Sequence, residues 1–370
     1  MSLVGMALCY TAYLTLTYFP SFCSSHLWLL ILPSLPVAFG GNLPVFMMAS
    51  FAYLGDTFVL KQSTNKGKLY QYLICEACCA FGAPIGVYVG GQLFHRYGHG
   101  IVFLTAATIE FVAAIYCFIQ LKNNTTELAK RKVANENQDI KDDKLSSDSD
   151  NDNSCIAFFK KMFKASFRQR EGQLRSILLI MILCQAIATA NYNLGSAMDY
   201  IYIKYKLNWS LPLFSEWKAS YIAVAALGAV VIAPVLAHWI SEPLQASVAF
   251  LLCGIFTFLL GLVSSCNSWI IWMALFLPCL FLVPTSVART IVTRIANVNE
   301  LGSVFGLMSF IGGVTPIIMS TLGTKLFDYA VSISINVGIV YFFASSLHLI
   351  GFCLSLYTDF LWWNNKKLMM

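Results

Sequence analysis

The sequence predicts an all-α polytopic membrane protein with about ten transmembrane helices, arranged four plus six. Of the 370 residues, 58% are apolar and only 11% are charged, whereas a soluble domain carries about 25% charged residues. Half of the charges lie in one segment, residues 122 to 175. The rest of the chain therefore has the composition of a membrane protein.

Ten apolar runs are long enough to span a bilayer, which requires about 20 residues. They lack the alternation of apolar and polar residues that a membrane barrel needs. Each run is therefore predicted to be a helix, whose backbone hydrogen bonds close within the segment. The predicted spans are residues 2–19, 27–55, 70–93, 100–121, 176–203, 219–239, 244–264, 268–293, 302–324 and 330–358.

The chain starts directly inside the first apolar run. Its first charged residue is Asp56 and its first basic residue is Lys61, so the basic start of a signal peptide is not present. We therefore expect the first helix either to be an uncleaved anchor or to follow helices that this chain lacks.

Residues 122–172 form the one long polar segment. Its middle is too polar and too acidic to build a core, and we expect it to be disordered. Its last part is typical of a basic amphipathic helix on an anionic membrane surface; the alternative is a solvated stretch beside the membrane. The apolar residues at helical spacing are Phe158, Phe159, Met162, Phe163 and Phe167, and the basic ones are Lys160, Lys161, Lys164, Arg168 and Arg170.

These features divide the chain into four parts. We predict an incomplete N-terminal half-bundle of four helices (1–121), a cytoplasmic linker (122–175), a C-terminal six-helix bundle (176–358) and a cytoplasmic tail (359–370). Many transporters consist of two six-helix halves joined by such a linker. The layout matches that plan with two helices fewer in the first half.

Basic residues set the predicted orientation, because cytoplasmic loops are enriched in lysine and arginine. The alternating loops place 18 basic residues on the side of the linker and 5 on the other side, with Arg289 inside a span. The linker and the C-terminus are therefore predicted to be cytoplasmic. The sequon at Asn208 is predicted to carry an external glycan, whereas the sequons at Asn123 and Asn124 would face the cytosol.

Ionisable residues inside spans are costly and are candidates for function. Glu76 lies about two turns into the third predicted span, where burial favours the neutral form of a carboxyl group and lets it exchange a proton. We therefore predict a proton-coupling role for Glu76; the alternative is a hydrogen-bonded packing acid. Glu110 lies in the middle of its predicted span, without an assigned role.

Three further ionisable residues lie in or at the ends of spans. Arg289 is predicted to bind an anionic group of a solute or to pair with a membrane carboxylate; the alternative is that it reaches the lipid headgroups. Asp199 is grouped with Arg289 as a substrate or coupling residue, although its place near the outer end of its span favours an outer gate or a surface network. Asp56, beside a basic loop, is predicted to form a structural ion pair.

Other chemistries lack their sequence motifs. Neither G-x-S-x-G nor G-x-x-x-x-G-K-[ST] occurs, so the chain is not expected to be an enzyme or an ATP-driven pump. Cys75 and Cys78 form a C-x-x-C pair on an apolar helix without a second pair, so no metal or cofactor is predicted. Basic residues between apolar runs orient a membrane protein, which excludes nucleic acid as a partner.

Secondary active transport is therefore the predicted function. The reaction would be proton-coupled symport, with a small-molecule solute, protons and the lipid bilayer as partners. The alternative is a non-transporting membrane protein, such as a truncated isoform, a decayed copy or an assembly partner.

Five features occur in an order and spacing that one transporter family shares. They are FGGNLPVFMMASFAYLGDTF (39–58), the helix of Glu76 with its terminal Gly90-Gly91, Asp199 late in the fifth span, SVARTIVTR (286–294) and NELGSVFG (299–306). Together they resemble solute carrier family 46, the proton-coupled folate transporter and thymic stromal cotransporter group of the major facilitator superfamily.

The resemblance implies a major facilitator bundle in which the ten predicted helices match family helices three to twelve. It also implies an anionic, folate-like or conjugated solute and a plasma or lysosomal membrane. By position, Glu76 matches the family's proton-coupling acid, Arg289 the basic residue of the tenth helix and Asp56 a structural aspartate. The chain departs from the family in lacking the first two helices with their D-x-x-G-R-R-like loop, and in having residues 191–194 where folate-transporting members carry a histidine.

Overall fold

The computed structural model describes residues 2–20, 26, 29, 31–40, 50, 65–139, 155–170, 172–296 and 298–364. Most of these residues are helical, and no strand occurs among them. They contain seven helical stretches that are long and apolar enough to cross a membrane. The predicted all-α membrane class is confirmed, and the count of ten spans stays a prediction.

Thirteen α-helices follow one another along these residues. Three further segments are irregular: a π-helical turn at Gly228–Ile232 and 3-10 helices at Ser265–Asn267 and Ala274–Leu280. The α-helices are α1 (Ser2–Thr17), α2 (Ser34–Gly40), α3 (Asn65–Tyr97), α4 (His99–Asp139), α5 (Cys155–Phe167), α6 (Leu174–Leu207), α7 (Leu211–Leu227), α8 (Ala233–Trp239), α9 (Glu242–Leu262), α10 (Trp269–Met273), α11 (Val283–Ile295), α12 (Val298–Ser332) and α13 (Ile339–Asn364).

The chain divides into two compact units. The first combines Met1–Phe46 with Arg96–Phe159, and the second combines Met47–His95 with Lys160–Met370. In the first unit α1 packs along α4, and the ring of Tyr13 stacks on the ring of Phe103 with 5.4 Å between centroids. Glu110 is half-buried on α4.

In the second unit, α6, α7, α9, α12 and α13 share an apolar core. Tyr202 and Trp217 are each 1% exposed in this core, and Phe256 is buried beside them. The Tyr202 hydroxyl donates a hydrogen bond to the carbonyl oxygen of Leu260 at 2.7 Å, which joins α6 to α9. A hydroxyl inside a membrane bundle needs such a partner because lipid offers none.

Helices α9 and α13 approach each other through glycines. A Cβ atom at Gly338 would lie 2.1 Å from the carbonyl oxygen of Gly261. Further along, Ser345 Oγ donates a hydrogen bond to the carbonyl oxygen of Gly254 at 2.9 Å. Small residues at helix contacts are typical of membrane bundles, because packing and interhelical hydrogen bonds drive association there.

Two spans contain breaks in the regular helix. The π-helical turn interrupts the span formed by α7 and α8. The span from α10 to α11 is interrupted at Pro278, whose φ of −78° and ψ of 19° are non-helical. Proline removes a backbone donor and clashes with the preceding turn, which accounts for the interruption at Pro278.

The linker differs from its prediction at its start. Helix α4 continues to Asp139, because the start of the polar segment is rich in Glu, Leu, Ala, Lys and Arg, which favour helix. The acidic middle, residues 140–154, lies outside the described residues. Helix α5 is present as predicted, but its apolar residues are divided: Met162 is 2% exposed, whereas Phe163 and Phe167 are half-exposed and stack at 6.2 Å. Its location on a membrane surface stays a prediction.

Ion pairs join helix ends that are predicted to be cytoplasmic. Arg168 Nη1 lies 2.5 Å and Arg170 Nη2 3.4 Å from the carboxylate of Glu300, in the first turn of α12. Burial lowers the pKa of the Arg170 guanidinium, and the Glu300 carboxylate opposes that shift. Arg294, at the end of α11, lies 2.5 Å from Glu242 at the start of α9. Both acids occupy first turns, where the helix dipole favours negative charge.

Candidate functional site

A pocket lies inside the second unit, lined by α6, α7, α9 and α13, and by Phe281 in the turn before α11. The space open to the centres of water-sized molecules is about 40 Å³, which is room for about three waters at 10–15 Å³ each. Its polar lining residues include Asn191, Asp199, Lys218, Tyr221, Tyr341 and His348.

The charged part of the pocket lies in the outer half of the bundle. Asp199 precedes the end of α6 by eight residues, or about 12 Å at a rise of 1.5 Å per residue. Lys218 is in the second turn of α7, and Tyr341 is in the first turn of α13. The predicted orientation makes these three helix ends external.

Asp199 is the centre of the charged part. It is 5% exposed and forms an ion pair with Lys218 through Oδ2. Its other oxygen, Oδ1, accepts a hydrogen bond from the Tyr341 hydroxyl at 2.5 Å. Gly195, one turn earlier on α6, leaves room for the carboxylate, since a Cβ atom there would lie 3.4 Å from Oδ1. Three helices thus meet at one carboxyl group.

The cost of this ion pair indicates a functional role. The side chains of Asp199 and Lys218 are 8% and 18% exposed, so both charges are largely removed from water. The desolvation cost of a buried ion pair can exceed the attraction between its charges, and such a pair is often no better for stability than an apolar one. Charged residues inside spans therefore usually mark sites of ion or solute movement.

Aromatic rings form the wall beside the lysine. Lys218 Nζ lies 4.7 Å from the centroid of the Tyr221 ring, a distance at which a ring face attracts an ammonium ion. The Tyr221 ring stacks on Phe256 at 5.3 Å and lies 6.1 Å from Phe281. This wall gives the pocket a flat apolar surface next to a positive charge.

Two pocket residues have polar atoms without a hydrogen-bond partner within the described part of the chain. They are Asn191, at both side-chain polar atoms, and Trp217, at Nε1. The two residues are 6% and 1% exposed. Since buried polar groups are normally paired, a bound water or a ligand would account for these atoms. Over the same described ranges, no group of three or more His, Cys, Asp and Glu is placed to hold a metal ion.

The structure brings one of the predicted site residues, Asp199, into this pocket. Arg289 lies elsewhere, half-buried on α11, with its Nη1 atom shielded from solvent. Glu76 lies on α3, of which only the backbone is described at that position, and Asp56 lies outside the described residues. Asn208 is exposed at the end of α6.

Lys218 and Tyr341 belong to the site but were not predicted. The predicted span began at residue 219, so Lys218 was counted as a loop residue, whereas α7 begins at Leu211. Arg289 is therefore not the one basic residue inside a span. The signal was present in the sequence: Ser210 followed by Pro212 is a typical helix start, and it places Lys218 two turns into the helix.

Comparison with known proteins agrees with this architecture. A sequence model described as the Major Facilitator Superfamily matches residues 1–320. A Drosophila melanogaster protein named probable peptidoglycan muropeptide transporter SLC46 is 23% identical over 338 residues, which are 88% of this chain and 60% of that protein. The human lysosomal proton-coupled steroid conjugate and bile acid symporter SLC46A3 is 25% identical over 300 residues, which are 78% of this chain and 59% of that protein.

A solved structure shows the same fold. The human organic anion transporter MFSD10 (TETRAN) matches with a TM-score of 0.60 at 15% identity, over 96% of this chain and 75% of that one. The chain spans about 60% of the length of the two curated relatives. Their family confirms the resemblance to solute carrier family 46. Because the family model matches most of the chain, this multi-pass membrane protein belongs to the major facilitator superfamily.

Proposed function

We propose that this chain acts in secondary active transport and moves a small organic anion across a membrane together with protons. The observation that carries the proposal is the buried ion pair of Asp199 and Lys218, held by Tyr341 between three transmembrane helices. A pair of opposite charges that can be separated by a proton or by an anionic solute is suited to coupling.

The relatives support the class of solute. SLC46A3 is named a symporter of steroid conjugates and bile acids, which combine a rigid apolar body with an anionic group. The pocket combines an aromatic wall, formed by Tyr221, Phe256 and Phe281, with the ammonium group of Lys218. Such a wall suits a ring system, and the cation suits its anionic end.

Two residues outside the pocket complete the proposal. Glu76 on α3 is proposed to take part in proton coupling, and Arg289 on α11 is proposed to contact the solute or to take part in coupling. One of the relatives, SLC46A3, is named as a lysosomal symporter. We therefore propose the lysosomal membrane as the site of action, with the plasma membrane as the alternative.

Uptake driven by an imposed proton gradient tests this function. Membrane vesicles from cells that express the chain are given estrone sulfate or taurocholate with the outer solution either acidic or neutral. An acidic outer solution should increase uptake, and a protonophore should abolish the increase. Membrane-inserted protein that gives no proton-stimulated uptake of either compound would overturn the proposal.

The Glu76→Gln variant tests the proton step. The amide cannot exchange a proton, so the variant should reach the membrane normally but lose the stimulation by acid, while uptake down a solute gradient continues. Asp328→Asn is the matched control, because Asp328 is an exposed acid on α12. Unchanged acid stimulation in Glu76→Gln would remove Glu76 from the mechanism.

A further inference from the structure

We propose that Asp199 and Lys218 form an exchange site for a proton and an oxyanion. In this proposal, which rests on the proposed function, protonation of Asp199 releases the ammonium group of Lys218. A carboxylate or sulfate group of the solute then takes the place of the aspartate carboxylate. The site thereby couples one proton to each singly charged anion.

The exchange begins and ends with a neutral site. The ion pair is neutral before exchange, because one carboxylate faces one ammonium group. A proton from solution adds to a carboxylate oxygen of Asp199, an O–H bond forms, and the ion pair breaks. The ammonium group keeps its protons and pairs with the incoming anion, so the site is neutral again. No bond of the solute is made or broken.

Tyr341 determines which oxygen of Asp199 takes the proton. Its hydroxyl donates to Oδ1 at 2.5 Å, and a protonated carboxyl group retains an oxygen that accepts this bond. The proton is therefore added at Oδ2, the oxygen that pairs with Lys218. Because the bond at Oδ1 remains, Asp199 stays in place while Lys218 changes partner.

Lys218 is held in position without Asp199. The Tyr221 ring, 4.7 Å from Nζ, attracts the ammonium group after the carboxylate becomes neutral. An ammonium group in a membrane span is unfavourable without an anion. Protonation of Asp199 therefore raises the affinity of the site for the anionic group of the solute.

Donors and space for an oxyanion lie in the same pocket as Lys218. Trp217 Nε1 and Asn191 Nδ2 have no partner among the described residues and belong to pocket-lining side chains. Both atoms carry N–H groups, which donate hydrogen bonds to oxyanions. The space of about 40 Å³ fits an anionic head group, and the body of the solute would extend past Tyr192, which is 49% exposed and lies 6.0 Å from the ring of Phe281.

The other titratable groups of the pocket do not replace this pair. Tyrosine and cysteine are neutral near pH 7, and His348 is the one histidine among the described lining residues. Its Nδ1 is bound to the carbonyl oxygen of Ala344 at 3.0 Å. The groups that face the pair are Tyr192 and Tyr202 on α6, Tyr221 on α7, Cys253 on α9, and Tyr341 and His348 on α13.

Proton uptake on binding tests the exchange. The full chain, purified in detergent, is mixed with estrone sulfate, cholate or estradiol in weakly buffered solution that contains a pH indicator. Wild type should take up about one proton for each bound estrone sulfate or cholate, and none with the neutral estradiol. Anion binding without proton uptake, or no binding of either anion, would overturn the proposal. Binding of only one of the two identifies the head group that the site accepts, sulfate or carboxylate.

Two variants assign the proton and the anion. Asp199→Asn mimics the protonated acid, so it should bind estrone sulfate without proton uptake and with an affinity that does not change with pH. Lys218→Gln should lose about tenfold or more in affinity, which corresponds to about 1.4 kcal/mol. Proton uptake that persists in Asp199→Asn but disappears in Glu76→Gln or His348→Gln contradicts the assignment.

Matched controls separate a structural effect from the exchange. Asp328→Asn and Lys325→Gln alter exposed residues near the outer end of α12 and should leave affinity and proton uptake unchanged. If Asp199→Asn does not fold, the wild-type proton counts with estrone sulfate and with estradiol decide the matter alone.

Transport measurements distinguish this proposal from the proposed function. Proton-linked binding of estrone sulfate without any uptake would support the exchange and overturn the transport function. Uptake whose proton dependence is unchanged in Asp199→Asn would support the transport function and overturn the exchange.

Discussion

The carbonyl oxygen of Cys279 lies 1.8 Å from the position that a Cβ atom at residue 228 would take. Gly228 begins the π-helical turn between α7 and α8, and Cys279 follows the bend at Pro278. The two irregular segments therefore meet backbone to backbone. Because the neighbour is a carbonyl group and not a flexible side chain, no residue other than glycine fits without movement of a helix.

Gly228→Ala should therefore destabilise the bundle. Overpacking of this kind typically costs about 1–3 kcal/mol, and the melting temperature of the detergent-solubilised protein should fall. Gly313→Ala on α12 is the matched control, since a Cβ atom there meets nothing within 4 Å among the described residues. Alanine is the better helix former by about 1 kcal/mol, so the control should be neutral or stabilising. Equal melting temperatures for the two variants would contradict the packing described.

Asn208 should carry a glycan if α6 ends outside the cell or in the lysosomal lumen. Asn208 is exposed and has a φ of 52°, a left-handed conformation that glycine adopts without strain. Asn208→Gly should therefore remove the band shift produced by peptide N-glycosidase without loss of folded protein. Substitution of Asn123 or Asn124 should leave that shift unchanged. A glycan at either of these two residues would reverse the predicted orientation.

Variants of Arg289 should show whether this residue contacts the solute or the lipid. If its guanidinium binds the anionic group, Arg289→Lys keeps the charge and part of the uptake, whereas Arg289→Ala loses about tenfold or more. Lys325→Ala, at an exposed basic residue of α12, is the control. Membrane abundance is measured together with uptake of estrone sulfate. Normal uptake by a well-expressed Arg289→Ala variant would exclude a role in binding.

Glu300 should hold the end of the linker against α12. Glu300→Gln weakens the bonds to Arg168 and Arg170, and the bond to the exposed Arg168 is worth about 0.2–1 kcal/mol. Trypsin should then cut after Arg168 and Arg170 several-fold faster in the solubilised protein. Glu216→Gln, at an exposed acid of α7, serves as the control and should not change the rate. Equal cleavage rates for the two variants would show that the ion pairs of Glu300 do not protect the peptide bonds after Arg168 and Arg170.

The class of fold follows from composition, whereas helix ends depend on local signals that apolar runs do not contain. Long apolar runs identify spans because a bilayer sets their length. The last predicted span began at residue 330, but α12 continues to Ser332 and α13 begins only at Ile339. The intervening turn contains Ser334 with a φ of 56° and a hydrogen bond from Gly338 N–H to Asn336 Oδ1. A hydropathy profile does not detect such a turn, because the residues that form it lie between two apolar segments.

Close packing in α3 depends on the neighbouring helix. Gly82, Gly86 and Gly90 recur every four residues along one stripe of α3. A Cβ atom at any of them meets nothing within 4 Å among the described residues, whereas one at Gly91 would lie 2.3 Å from Ser215 Oγ on α7. Spacing along one helix identifies a face, but only the position of the neighbouring helix determines which face is in contact.

Half of the charged site was predictable. Asp199 was predicted because an acidic side chain inside a span is energetically unfavourable and therefore usually has a function. Its partners come from helices that begin 12 and 140 residues later in the chain, and tyrosine is common enough in apolar helices that Tyr341 carried no signal of its own. Only the packing of α7 and α13 against α6 brings Lys218 and Tyr341 to this carboxyl group.

Helix α4 is much longer than a membrane span requires. Its 41 residues are about 60 Å long at 1.5 Å per residue, of which the apolar stretch His99–Ile119 uses about half. The basic cluster Lys130, Arg131 and Lys132 begins about 16 Å past the end of that stretch, or two Debye lengths of about 8 Å each in physiological salt. With the orientation predicted from the basic residues, the length of α4 therefore sets how far the start of the linker lies from the bilayer.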